Sequence, residues 1–176
     1  MAALAGVRRV AQLARPVVRI RHRLSTPIGE LVLLGTTAGL SEIRFPHAAA
    51  VDDADDGELP EAAAEIEAYF AGRLREFTIP LVPAGTRFQH QVWRLLREIP
   101  FGATTTYGAL ARRLGKASAA RAVGLANGSN PLPIIVPCHR VIGSNGKLTG
   151  FAGGLPMKAW LLDWERRCNF FGADGE

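Results

Sequence analysis

Two short apolar segments near the start of the chain, "GELVLLGTT" (29–37) and "LSEIRF" (40–45), are separated only by Ala38-Gly39 and predict two strands joined by a turn. The acidic stretch 51–59 reads as a surface loop. Behind it Pro60 fits a first helical position, where its missing N–H has no intrahelical partner to lose. Ala64, Ile66, Tyr69 and Phe70 then recur at helical spacing until Gly72 supplies a stop. "FTIPLVPAG" (77–85) predicts one more strand, running into a Pro/Gly linker.

From Thr86 onward the spacing is that of helices. Phe88, Val92, Leu95, Leu96 and Ile99 form one apolar stripe, with Thr86 as N-cap and Pro100 and Gly102 at its end. "TTTYGALARRLG" (104–115) predicts a threonine-capped short helix that turns Leu110, Ala111 and Leu114 inward and stops at Gly115. Ser118 is expected to cap a second short helix, "AARAVGLAN" (119–127), ended by Asn127-Gly128. Two short helices across a glycine turn, carrying Arg112, Arg113, Lys116 and Arg121, match a helix-turn-helix. The second is built of Ala, Gly and Val around Arg121 and lacks the long polar side chains that read base edges. Contact with the backbone or a shallow groove fits it better than sequence-specific regulation. A last helix, "LPMKAWLLDWERRC" (155–168), turns Met157, Trp160, Leu161 and Trp164 inward, with Cys168 packing on the same stripe and Glu165 at its edge.

The fold class is therefore α+β: a small N-terminal α/β domain over 20–85, then a mostly helical C-terminal domain containing the helix-turn-helix over 86–170. Residues 1–19 are left as a basic extension and 171–176 as a tail. The opening residues are rich in Arg and free of acid, as a transit peptide would be, but Pro16 interrupts any helix and Ser is absent until Ser25, which favours a disordered arm.

Charge sharpens the division. Residues 87–167 hold twelve Lys/Arg against three acids, whereas 1–86 hold nine against eleven. One basic half suggests a polyanionic partner, and an Arg-rich solvated surface is the bland alternative. No apolar run reaches membrane-spanning length, so no membrane partner is expected. Two cysteines, Cys138 and Cys168, make no disulfide framework and no Cys-x-x-Cys metal pair, and a reducing intracellular setting follows.

Cys138 lies in "PIIVPCHRVIGSNGKLTGF" (133–151), between Pro137 and His139. Pro131, Pro133 and Pro137 predict a stiff, largely extended stretch with Ile134, Ile135 and Val136 buried, and Asn145-Gly146 predicts a tight turn beyond. A packing cysteine would sit inside the apolar run. Beside His139 and Arg140, Cys138 has the neighbours that make a thiolate accessible. A hydrolase with direct Cys–His pairing would need a turn at 138–139, since successive side chains diverge in an extended chain.

These residues resemble the O6-alkylguanine-DNA alkyltransferases, or methylated-DNA–protein-cysteine methyltransferases. "IVPCHRVIG" is similar to that family's active-site motif, and the similarity runs through "FQHQVWRLLREIPFGATTTYGALARRLG", "AARAVGLANGSNPLPI" and "LTGFAGGLPMKAWLLDWE". The resemblance implies direct-reversal DNA repair: Cys138 accepts the alkyl group from O6-alkylguanine, with O4-alkylthymine as a second candidate substrate, once per molecule and without cofactor or metal. It implies that His139 takes the thiol proton through a water, that Glu165 orients His139, and that Asn130 fixes the loop. Tyr107 would crowd the flipped nucleotide's phosphate, and Arg121 would fill the vacated place in the stack. Ser118, Ala119, Ala120 and Arg140 complete the expected DNA surface, while Val141, Ser144, Phe151, Ala152 and Gly153 would wall the base pocket. Phe151 stands where some relatives carry tyrosine. The expected partner is double-stranded DNA carrying the lesion, met by a monomer with no obligate protein partner. The expected setting is cytoplasmic, at the nucleoid or in the nucleus. A non-acceptor damage-binding relative is disfavoured because such proteins replace the cysteine.

Overall fold

In the computed structural model, which describes residues 18–45 and 54–171, the first half is built on β1 (Ile20–Thr26), β2 (Gly29–Thr36) and β3 (Gly39–Arg44), an antiparallel meander with β2 between its neighbours. β1 and β2 pair antiparallel from Ile20↔Gly35 to Thr26↔Gly29, and β2 pairs antiparallel with β3. The tight β2–β3 turn needs Gly39 at φ 146°, where an added Cβ would lie 2.5 Å from the Pro80 carbonyl oxygen. β1 is an addition to the sequence reading, which placed 20–28 in the first domain without assigning a strand there. Its arginines are matched locally: Arg21 pairs with Asp56 and Arg23 with Glu30. The arm itself, residues 1–17, lies outside the described residues, as do most of the expected tail (172–176) and part of the acidic loop.

Within that loop Asp55–Asp56 forms a two-residue strand, β4, parallel to Ile20 and Arg21. The strand expected over 77–85 reduces to a single bridge between Leu81 and Leu40, because Pro80 and Pro83 lack the N–H groups a ladder requires. Helix α1 (Pro60–Phe70) starts on Pro60, buries Ala62, Ala63, Ile66, Tyr69 and Phe70, and stops before Gly72 at φ 73°.

The second half opens on α2 (Arg87–Arg97), whose N-terminus carries a full capping box: Thr86 accepts from the Gln89 N–H while the Gln89 side chain accepts from the Thr86 N–H. Helix α3 (Tyr107–Arg113) is capped by Thr106 and released at Gly115, φ 69°. Helix α4 (Ala120–Gly128) follows through a 3₁₀ turn, Ala117–Ala119. Ser118 lies inside that turn and makes no cap, contrary to expectation. Helix α5 (Leu155–Phe171) closes the fold, and short strands β5 (Thr105–Thr106) and β6 (Val141–Ile142) pair in parallel between α3 and the cysteine segment.

One apolar core joins the halves, from Leu31, Leu33 and Ile66 through Leu96 and Leu110 to Leu132 and Leu161. Burying each such leucine contributes about 1.5–3 kcal/mol. Polar contacts cross the same boundary: the Ile43 N–H donates to the Pro131 carbonyl at 2.7 Å, and Phe45 packs on Phe151 at 5.5 Å.

Candidate active site

The segment ahead of Cys138 is a knot of turns rather than an extended strand. Asn130 ties it: its side-chain amide donates to the Val136 carbonyl at 2.7 Å, and its Oδ1 accepts from the Leu132 N–H at 3.0 Å. Inside this loop Ile134 is held at φ 76°, a left-handed conformation that costs a β-branched residue on the order of 1–3 kcal/mol. Pro137 sits at φ −79°, ψ 65°, the centre of an inverse γ-turn, and the Cys138 N–H donates back to Val136 at 2.7 Å. The proline φ suits both an extended chain and this turn, so sequence could not separate them. Cys138–Arg140 then coils into one turn of 3₁₀ helix. The turn that a direct Cys–His approach requires is thus present, and the sequence argument against it fails.

Cys138 is 5% exposed. Burial pushes its thiol pKa up, opposed by the Asn130 amide, the Lys158 charge and the N–H groups of Cys138 and His139. The thiol is therefore protonated at neutral pH and needs a base to become a nucleophile.

His139 is that candidate base. It is fully buried, and its Nε2 lies 2.8 Å from Glu165 Oε1. A carboxylate only accepts, so Nε2 carries the proton and Nδ1 is left as the acceptor. Nδ1 is buried with no hydrogen-bond partner among the described residues. Burial lowers the His139 pKa, with Arg140 and Lys158 adding to the effect against Glu165, so the imidazole rests neutral.

Glu165, fully buried on α5, is saturated with donors. Oε1 meets His139 Nε2, Arg140 Nη2 and the Tyr69 hydroxyl, each at 2.8 Å. Oε2 meets Arg140 Nε and the Gly102 N–H, each at 2.9 Å. Burial alone would raise its pKa, but the hydrogen bonds and charges of His139 and Arg140 outweigh it and hold the group at about 2.

Arg140 requires correction. Expected on a DNA surface, it is buried, engaged with both Glu165 oxygens and with the Ile99 carbonyl at 2.6 Å, and stacked over Phe101. Its neighbour Val141 is fully buried too, so its side chain packs the core instead of walling a pocket.

Two buried polar residues escaped the sequence reading. Lys158 is completely buried, and its ammonium donates to the Val141 and Thr149 carbonyls, each at 2.6 Å, clasping the two ends of the loop that carries Ser144. Tyr69 comes from α1, in the other half of the chain. Nothing local marks either: a Lys after Met157 reads as solvated, and Tyr69 reads as core.

The remaining candidates lie around this centre. Phe151 sets its ring edge-on to His139, centroids 6.4 Å apart. Gly153 sits where an added Cβ would meet Met157 Sδ at 2.3 Å, so a larger residue there requires Met157 to move. Ser144 and Ala152 are exposed. Tyr107 starts α3, and its hydroxyl accepts from Thr149 Oγ1 at 3.2 Å. Ser118 and Arg121 are exposed, with Ala119 and Ala120 half-buried between them.

Comparison with known proteins agrees with this geometry. Residues 87–167 match the DNA binding domain of 6-O-methylguanine DNA methyltransferase, and 20–83 match that family's ribonuclease-like domain. The methylated-DNA–protein-cysteine methyltransferase of Methanosarcina acetivorans is 48% identical over 149 residues, covering 81% of this chain and 96% of the relative. Its counterpart from Mycobacterium leprae is 45% identical over 153 residues, covering 81% and 90%. Among solved structures, Mycobacterium tuberculosis OGT in complex with DNA superposes with a TM-score of 0.81 at 44% identity, covering 85% of this chain and 94% of that one. A buried thiol, a neutral histidine and an ionised glutamate, set in a chain whose two halves match the two domains of one family, lead to one conclusion: the chain belongs to the 6-O-methylguanine DNA methyltransferase family.

Proposed function

We propose that Cys138 is the residue that receives the alkyl group. The activity is direct reversal, in which the protein takes the alkyl group from O6-alkylguanine onto its own cysteine in a single turnover. What carries the assignment to Cys138 is the orphaned Nδ1 of His139, a buried acceptor one residue from a thiol that is protonated until a base acts.

His139 Nδ1 takes the thiol proton through a water, and Glu165 stabilises the imidazolium that forms. The sulfur attacks the alkyl carbon in line, an S–C bond forms and the C–O6 bond breaks. The guanine regains a proton at N1 as its carbonyl is restored, which matches the proton lost from the thiol. The thioether does not hydrolyse, so the site is consumed.

A thiol this buried reaches a base only if the nucleotide leaves the stack, at a cost of a few kcal/mol. Tyr107, at the start of α3, supports the rotation by crowding the phosphate, and Arg121, exposed on α4, fills the gap. The half-buried Ala119 and Ala120 and the loop residues Ser144, Phe151, Ala152 and Gly153 contribute surface rather than chemistry. The substrate is duplex DNA, bound by a single copy of the chain.

Intact-protein mass spectrometry after incubation with a duplex containing one O6-methylguanine tests the assignment. One methyl group on the Cys138 peptide, lost in Cys138→Ser, is the expected result. Methyl on Cys168, or binding with no mass change, would overturn it.

A further inference from the structure

Tyr69 is completely buried, and its ring is wedged among Phe70, Phe77 and Phe101 at centroid distances of 5.2, 5.6 and 5.9 Å. These contacts hold the phenol ring on both sides. Its hydroxyl is aimed 2.8 Å from Glu165 Oε1, the same oxygen that receives His139 Nε2. A hydrogen bond spanning 96 positions of sequence thus ties the first half of the chain to the carboxylate behind the base.

We propose that Tyr69 is a positioning residue of the acceptor site: its hydroxyl fixes Glu165 Oε1 and draws on the carboxylate's negative charge, which sets how readily His139 accepts the Cys138 proton. The inference rests on the relay proposed above. A core tyrosine needs some partner for its hydroxyl, and a main-chain carbonyl would serve packing equally well. Here the partner is the one buried carboxylate among the described residues. The phenol stays a donor, because burial and then the Glu165 charge raise its pKa well above the ordinary tyrosine value.

The electrostatic sign follows from the full set of neighbours. His139 is faced by Glu165 and Lys158 from α5, by Arg140 and Cys138 from its own turn, and by no other charged group that shifts it among the described residues. Glu165 is faced in addition by the Tyr69 hydroxyl from α1, the Gly102 N–H and Cys168. Removing the phenol donor leaves more carboxylate charge for His139. The imidazolium is then better stabilised, His139 stays protonated to higher pH, and a smaller share of the protein is ready to accept the thiol proton.

Single-turnover kinetics separate this role from a packing role, since the amplitude counts active molecules and the rate constant reports chemistry. In Tyr69→Phe the methyl-transfer amplitude should stay whole, the acid limb of the pH–rate profile should move up by about half a pH unit, and the rate constant should fall by about threefold on that limb and by less at pH 7. Site-specific 3-fluorotyrosine at position 69, a stronger donor of nearly the same size, should move that limb down. Phe70→Leu, on the same helix but off the carboxylate, serves as the packing control and should leave the limb in place. A reduced amplitude with an unmoved limb in Tyr69→Phe would overturn the proposal. So would an unmoved limb with fluorotyrosine, which decides the matter alone if Tyr69→Phe does not fold. Failure of the unsubstituted chain to methylate Cys138 would overturn the acceptor assignment itself, and this inference with it.

Discussion

Glu165 concentrates more of the site's energetics than Cys138 does. Five donors converge on this fully buried carboxylate, and breaking a buried set of this kind by altering one member typically costs about 3–5 kcal/mol. Its pKa is depressed from 4.5 to about 2, so its contribution is fully present above pH 4.5 and is lost as pH falls toward 2. The neutral His139, also depressed, acts in the same direction from its ordinary value of 6.5 downward, because the unfolded chain binds that proton first. Chemical denaturation across pH should therefore show Glu165→Gln less stable by about 3 kcal/mol at pH 7. The gap should close between pH 4.5 and 2, and a gap constant across pH would show that the substitution acts through packing alone. At this scale the sequence was informative about identity and poor on direction. Cys138 and His139 are legible because their types and adjacency carry chemistry, whereas Glu165, unremarkable alone, stood out only through the family resemblance. Arg140 was misjudged because no local pattern says that a 3₁₀ turn at 138–140 points it inward.

Among the elements, those whose ends are written in neighbouring residues were readable. Thr86 and Thr106 cap α2 and α3 through N–H groups three residues on, and Gly72 and Gly115 take up positive φ where α1 and α3 stop. The elements that escaped depend on partners remote in sequence: β1 is a strand because β2 and β4 lie on either side of it. The 131–136 loop is the extreme case, since its shape needs Asn130 to hold two main-chain groups at once and to offset the strain at Ile134. Asn130→Ala releases both bonds and leaves the Leu132 N–H and one bond of the Val136 carbonyl unmet in the core. The expected loss is about 2–3 kcal/mol, read as a lower denaturant midpoint at unchanged slope. Methyl transfer should slow as well, because the same amide lies by the Cys138 thiol. A variant with normal stability would mean that the prolines hold the loop unaided.

For the whole molecule, the charge imbalance seen in sequence survives folding but shrinks on the surface. Arg140 and Lys158 are buried, Arg113 pairs with Glu98, and Arg166 and Arg167 share Asp163. On the helix-turn-helix, Arg112 and Arg121 remain exposed without an ion pair among the described residues. The two should behave differently on DNA. A side chain that neutralises a phosphate releases counterions, so its loss flattens the dependence of log K on log salt by roughly 0.9. One that enters the stack contributes by filling space and contacting bases, which salt screens weakly. Arg112→Ala should therefore weaken binding to undamaged duplex and reduce the salt slope by about one, measured by fluorescence anisotropy across a salt series. Arg121→Ala should leave that slope nearly unchanged while slowing methyl transfer from a duplex far more than from a single strand, where no gap needs filling. Equal slope changes in the two variants would make Arg121 one more phosphate contact and leave the space behind a flipped base without an occupant from α4.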